Sequence, residues 1–143
     1  LLATLEAWLV PMVPGLRSAA DLRSLDLTAA LGARIDHDQR RELDRRAPVS
    51  LQLPSGRTAR LDYRPDGPRL STRAQDLYGT TVHPTVDDGA VPVVVELLSP
   101  ANRPIQVTAD LPGFWAGSWA EVRKEMAGRY PKHDWPADPA APR

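Results

Sequence analysis

The 143-residue chain has no cysteine, a single phenylalanine, two lysines and no long apolar run. Without cysteine there is no disulfide framework, no thiolate zinc site and no cysteine nucleophile; such a composition suits a reducing compartment, and a cytoplasmic location is expected. No apolar stretch approaches the roughly 18 residues of a membrane span. Residues 1–13 lack the basic flank of a secretory signal and carry Glu6 and Trp8 at helical spacing. No membrane partner is therefore expected. Also absent are G-x-x-x-x-G-K-[ST] and G-x-G-x-x-G, whose backbones cradle nucleotide phosphates, and the G-x-S-x-G serine elbow. The fragment is accordingly expected to be non-catalytic, with no cofactor and no small-molecule substrate of its own. Its length excludes a whole motor enzyme, and with Leu1-Leu2 in place of an initiator methionine it reads as an excised piece of a longer polypeptide.

What is present is a modest core and many interruptions. Leu, Ile, Val and Phe together number 32, about 22% of the chain, just above the level where disorder becomes the default. Fifteen prolines predict short elements and a disordered tail over 137–143. Arginine outnumbers lysine 16 to 2, a ratio that reflects base composition more than arginine chemistry. Net charge is zero but uneven: −1 over 1–33, +4 over 34–73, −5 over 74–122, +3 over 123–133 and −1 beyond. If the two basic stretches fold onto one face they form a phosphate-neutralising surface; otherwise they are ordinary solvated faces.

Periodicity divides the chain. Leu1, Leu5, Trp8, Leu9 and Met12 share one helical face, ended by Pro14-Gly15. Ser18 with Asp21 forms a capping-box pattern, Asp26 caps another turn, and Asp36 and Asp38 open a helix closed by Arg45-Arg46. Residues 1–47 are thus expected to be a helical subdomain whose exposed Leu and Trp mark a cut interface. From Pro48 the period becomes two. Val49–Leu53, Thr58–Arg64, Arg69–Thr72, Val91–Leu98 and Pro104–Thr108 read as five strands, the fourth apolar enough to be buried on both faces. A helical stub lies at 74–78, and Ser118 with Glu121 suggests a capping box for a last helix carrying Trp119, Val122 and Met126. The predicted class is α+β: short N-terminal helices, then a 48–136 domain whose element order matches a five-stranded OB-type barrel, then a C-terminal helix.

Catalytic signals are sparse. His37, His83 and His133 have no second His or Cys at ligand spacing, so a metal reading rests only on Asp36-His37-Asp38, and no metal is expected. Glu96 is the one acid in an apolar strand; it is read either as a general acid with a raised pKa or, preferably, as the partner of an arginine. Gly128–Pro136 interleaves cations with Tyr130 and Trp135, which suits either phosphate contact with base stacking or an anchored C-terminal stretch. Phe114, Trp115 and Trp119 are spaced to seal a helix against a sheet.

Longer strings carry a resemblance. Pro54-Ser55-Gly56-Arg57, Leu61-Asp62-Tyr63, Gln75-Asp76-Leu77-Tyr78-Gly79, 91–115 (VPVVVELLSPANRPIQVTADLPGFW) and 121–136 (EVRKEMAGRYPKHDWP) together resemble the C-terminal domain of the bacterial HrpB family of DEAH-box ATP-dependent helicases. The leucine-rich helices before residue 48 resemble the end of that family's preceding helical region. Ala90, Ala127 and Asp134 depart from the family pattern, each removing positive charge or adding negative. The resemblance implies a parent whose upstream RecA-like domains bind ATP with Mg²⁺ and pull on RNA, and it makes those domains a partner of this one. From the residues, the first expectation is contact with single-stranded RNA through Arg57, Arg60, Arg123, Lys124, Arg129, Lys132 and Trp135. The alternative is a docking module presenting Trp8, Leu9, Trp115 and Trp119 as apolar surface.

Overall fold

A computed structural model describes residues 2–15 and 17–142, and by contact the chain divides into two units, Leu1–Glu42 and Leu43–Arg143. No helix among the described residues is long and apolar enough to cross a membrane.

The first unit is built from short helices because its apolar runs are short and each is punctuated. α1 (Leu5–Leu9) is flanked by 3-10 turns rather than extending to Met12, and Leu1 of the predicted stripe lies outside the described residues. α2 (Ala19–Arg23) has the predicted capping box: Asp21 N–H donates to the Ser18 hydroxyl while the Asp21 carboxylate accepts from Ser18 N–H at 2.9 Å. That carboxyl is held below the usual range, first by the Arg17 backbone N–H and then by Ser18. α3 (Leu27–Gly32) starts at Asp26, whose carboxylate accepts from Ala29 N–H. α4 (His37–Arg46) opens with Asp36 and Gln39 capping each other's N–H groups. Trp8, Leu9 and Ala30 form a small core with Val13, Leu25 and Leu31 against it, and the Arg34 guanidinium lies 5.4 Å from the Trp8 ring centroid. Trp8 and Leu9 are therefore buried within this unit, not exposed at a cut interface, because each has apolar partners from the next helices. The division between units falls within α4, ahead of the change of period at Pro48.

Among the described residues the second unit carries seven strands: β1 (Ser50–Gln52), β2 (Thr58–Arg64), β3 (Gly67–Arg73), β4 (Thr85–Val86), β5 (Val91–Pro92), β6 (Val94–Leu98) and β7 (Pro104–Thr108). Gly56 at φ 82° and Gly67 at φ 122° make the tight connections on either side of β2 that a Cβ would strain. β1, β2, β3, β6 and β7 form one open sheet in that order, and β4 pairs with β5 separately. The barrel expectation is corrected here. β6 runs parallel to β3, Leu70 beside Val95 and Thr72 beside Leu97, after a crossover through residues 74–93. β7 then adds outside β6, and among the described residues nothing joins β7 to β1, so the sheet does not close.

One face of the sheet is apolar and covered. Leu61, Leu70, Val95 and Leu97 point into a core shared with α5 (Leu111–Ala116) and α6 (Trp119–Arg129), which contribute Leu111, Phe114, Trp115, Trp119 and Met126. Trp119, 1% exposed, is the centre, with ring centroids of Trp115 at 5.1 Å, Tyr78 at 5.8 Å, Phe114 at 6.0 Å and Trp135 at 6.1 Å. Aromatic pairs at such distances add about 0.5–1.5 kcal/mol each beyond area burial. β6 is fully buried on one face only: Val95 and Leu97 are inaccessible while Val94, Glu96 and Leu98 are half-covered, because the helices pack on a single side. The capping box at Ser118 is also corrected. Ser118 already has helical dihedrals and its side chain caps nothing; the side-chain cap in this region is Asp110, which opens α5 by accepting from Gly113 N–H at 3.0 Å. Towards the C-terminus Pro139 is buried, its carbonyl accepting from Gly79 N–H at 2.7 Å.

Candidate nucleic-acid interface

Two-residue alternation along β2 sends Ala59 and Leu61 toward the core and leaves Arg60, Asp62 and Arg64 exposed. On β3 the same alternation buries Leu70 and Thr72 and turns Arg69, Ser71 and Arg73 the other way. Because Leu61 faces Leu70 and Asp62 faces Arg69, the arginines of the two strands collect on the outer face. Arg57, Arg60 and Arg73, with Asp76, Asn102 and the hydroxyls of Thr58, Ser71 and Thr72, supply the polar lining of a cleft of about 380 Å³.

Most of these groups are held. Arg57 Nη1 lies 3.2 Å from Asp76 Oδ2, and the buried Asp76 also accepts from the Thr72 hydroxyl at 2.9 Å. Arg73 donates its Nε–H to Asn102 Oδ1 at 3.2 Å. Arg69 pairs with Asp66 at 2.7 Å, which holds the Asp66 carboxyl below the usual carboxylate range, and Arg64 pairs with Asp62 at 2.6 Å, which raises the guanidinium further. Arg60 has no hydrogen-bond or ion-pair partner among the described residues. Glu96 accepts from the Ser71 hydroxyl at 2.5 Å across the parallel β3–β6 pair; a hydroxyl is its bonded partner, and Arg64 acts on it only through space.

The second predicted basic group lies elsewhere. α6 packs on the covered face through Trp119 and Met126, so sheet and core separate its cations from Arg60. The sheet arginines and the cations of α6 thus do not converge. Arg123 donates Nε–H to the Trp135 carbonyl at 2.8 Å, and Arg129 pairs with Glu125 at 3.1 Å, while Lys124 and Lys132 are exposed. Trp135 is 7% exposed, its indole N–H donating to the Tyr130 carbonyl at 3.0 Å. It is an anchor, and its ring has no free face to offer a base. Trp115 and Trp119 are likewise core, so none of the four residues expected as apolar docking surface is exposed.

Residues with chemical potential elsewhere are occupied structurally. His83 Nδ1 accepts from Leu111 N–H at 3.0 Å, which leaves Nε2–H to donate to the Val93 carbonyl at 2.8 Å. Asp36 caps α4 and Asp38 pairs with Arg41. Among the described residues no three His, Cys, Asp or Glu side chains gather as a metal site would need. Arg69, Arg73 and Asn102 were missed from sequence. The hairpin register was the available signal for the arginines, since pairing β2 with β3 about Asp66-Gly67 puts them beside Arg60.

HrpB_C, the ATP-dependent helicase C-terminal family, matches residues 8–139. The ATP-dependent RNA helicase HrpB of Escherichia coli K12 is 47% identical over 141 residues, covering 98% of this chain and 17% of that protein. The crystal structure of the E. coli DExH-box NTPase HrpB superposes with a TM-score of 0.87 at 46% identity, over 97% of this chain and 17% of that one. A second, of the Escherichia coli DEAH/RHA helicase HrpB, gives 0.71 at 43% identity, over 94% of this chain and again 17% of the other.

Proposed function

The chain belongs to the ATP-dependent helicase C-terminal family of HrpB type, and from that premise we propose that it contacts single-stranded RNA for a parent helicase, through arginines on the open face of its sheet. ATP and Mg²⁺ are the business of the parent's core domains, which are its partners within one chain; this domain has no ATPase activity of its own. The observation that carries the reading is the cleft beside β2 and β3 that Arg57, Arg60 and Arg73 line, in which Arg60 is uncommitted. With the four tryptophans buried, contact is made to phosphates and not by stacking of tryptophan on bases. Lys124 and Lys132 add at most long-range attraction, and Arg123, Arg129 and Trp135 serve the fold.

Single-strand binding loses affinity with salt at a slope of roughly −0.7 per phosphate neutralised. With Arg57 already paired to Asp76, one phosphate held in the cleft predicts a slope of about −0.7, or roughly a two- to threefold loss between 50 and 200 mM salt. Anisotropy of a labelled single-stranded RNA titrated with the 143-residue chain over that range tests this. Binding that ignores salt, or no binding at 50 mM, overturns it.

A further inference from the structure

We infer that the cleft lined by Arg57, Arg60 and Arg73 is a discrete oxyanion site that seats one phosphate group, with Arg60 and Arg73 as its ligands. The inference deepens the proposed RNA contact and rests on it for the natural source of the phosphate, but not for the chemistry of the site.

The argument is one of prior arrangement. Three guanidiniums share one cleft with a single lining carboxylate, Asp76, leaving a net charge of +2. Asp76 is already engaged by the Thr72 hydroxyl and by Arg57, and the neighbouring Glu96 is engaged by the Ser71 hydroxyl, so neither carboxylate is bonded to Arg60 or Arg73. Arg73 is oriented through its Nε–H alone, which leaves its two amino groups as donors, and a guanidinium offers five N–H in a fixed fork.

The acceptor that orients Arg73 is itself built in. Asn102 sits at φ 57°, its N–H donates to the Ser99 carbonyl at 2.9 Å, and Ser99 is 1% exposed with its hydroxyl accepting from Arg103 N–H at 3.1 Å. A turn pinned by a buried serine therefore fixes the carbonyl that aims an arginine. Binding an anion here costs less side-chain ordering than it does at unrestrained surface arginines.

A phosphate in this cleft has two sources: an internucleotide phosphate of an RNA strand, or free phosphate including a terminal phosphomonoester. The experiment titrates the 143-residue chain with inorganic phosphate, sodium chloride at matched ionic strength being the control, and follows arginine Nε–Hε resonances. The same chain bound to labelled single-stranded RNA is then challenged with phosphate. Arg60→Gln with Arg73→Gln, on exposed and half-exposed positions, removes the ligands; circular dichroism checks its fold. Asn102→Gly keeps the left-handed turn but removes the orienting carbonyl, and is expected to weaken phosphate about three- to tenfold at an unchanged unfolding midpoint.

Saturable shifts at Arg60 and Arg73, displacement of RNA by phosphate, and loss of both in the double variant establish the site with the strand as its source. Saturable phosphate binding with RNA affinity untouched by the double variant, or with no RNA binding at all, establishes a free-phosphate site and defeats the RNA reading of this face. RNA binding that survives the double variant, with no phosphate shifts, overturns the site while other cations carry the RNA.

Discussion

Two regions look alike in composition and end in opposite surroundings. Residues 123–136 and residues 57–73 each mix cations with aromatic or β-forming residues, and the first is the denser mixture. In the folded chain that density is consumed internally. Trp119 donates to the Pro136 carbonyl at 2.9 Å, Trp135 to Tyr130, Arg123 to Trp135, and Tyr78 to the Asp134 carbonyl. The sheet segment keeps its arginines outside because strand alternation separates them from the residues that build the core. A polar group next to an aromatic core is recruited to satisfy backbone that the core buries; one across a pleat stays at the surface, held only by neighbouring side chains.

The sharpest way to break this contrast is Trp119→Ala. Removing the centre of the aromatic cluster is expected to cost about 3–5 kcal/mol, read as a large fall in urea midpoint. A loss below about 1 kcal/mol would mean the cluster is not the core it looks to be. Trp135→Phe keeps the ring and loses the N–H bond to Tyr130, for about 1 kcal/mol, and leaves RNA affinity unchanged in the anisotropy titration. A drop in affinity at unchanged stability would return Trp135 to the interface.

On the other face, Arg60→Ala is expected to change the unfolding midpoint by less than about 0.5 kcal/mol while making the salt slope shallower by about 0.7. A smaller effect still is expected from acid. Asp66 is held below its usual value, first by the hydrogen bond from Arg69. Its ionised form is favoured by folding, so its contribution is complete above the unfolded value near 4 and is lost as pH falls through the lower folded one. Asp66→Asn should slightly flatten the decline of the unfolding midpoint below about pH 4, and an unchanged decline would show the pair to be fully screened. Last, Lys124→Ala with Lys132→Ala should leave RNA affinity within about twofold, since exposed charges remote from the strand are screened. A tenfold loss would move the interface to α6.

Legibility followed the range of the interactions. The caps at Ser18, Asp26 and Asp36, the turn at Pro54-Ser55-Gly56 and the β2–β3 hairpin were readable because each is decided within a few residues. The break of the 91–98 run at Val93 was not. Val93 is fully buried, and its N–H donates to the Pro84 carbonyl, a partner that nothing local announces. Ser118 had the right spacing for a capping box, but α5 runs into it through Gly117 and leaves it already helical. Of the seven candidate contacts, Arg57 and Arg60 lie in the cleft, Trp135 is buried, and Arg123 is bonded to the backbone beside it.

The family, the α+β class and the alternation that puts arginine on one side of β2 and β3 are properties of the sequence, since motif wording, composition and period-two patterning need no partner to be read. Which strands neighbour one another, and hence that the sheet stays open and that β2 and α6 face apart, was settled only in three dimensions. The reason is physical: β3 and β6 pair in parallel across a crossover, and which face each arginine shows depends on what packs beneath it.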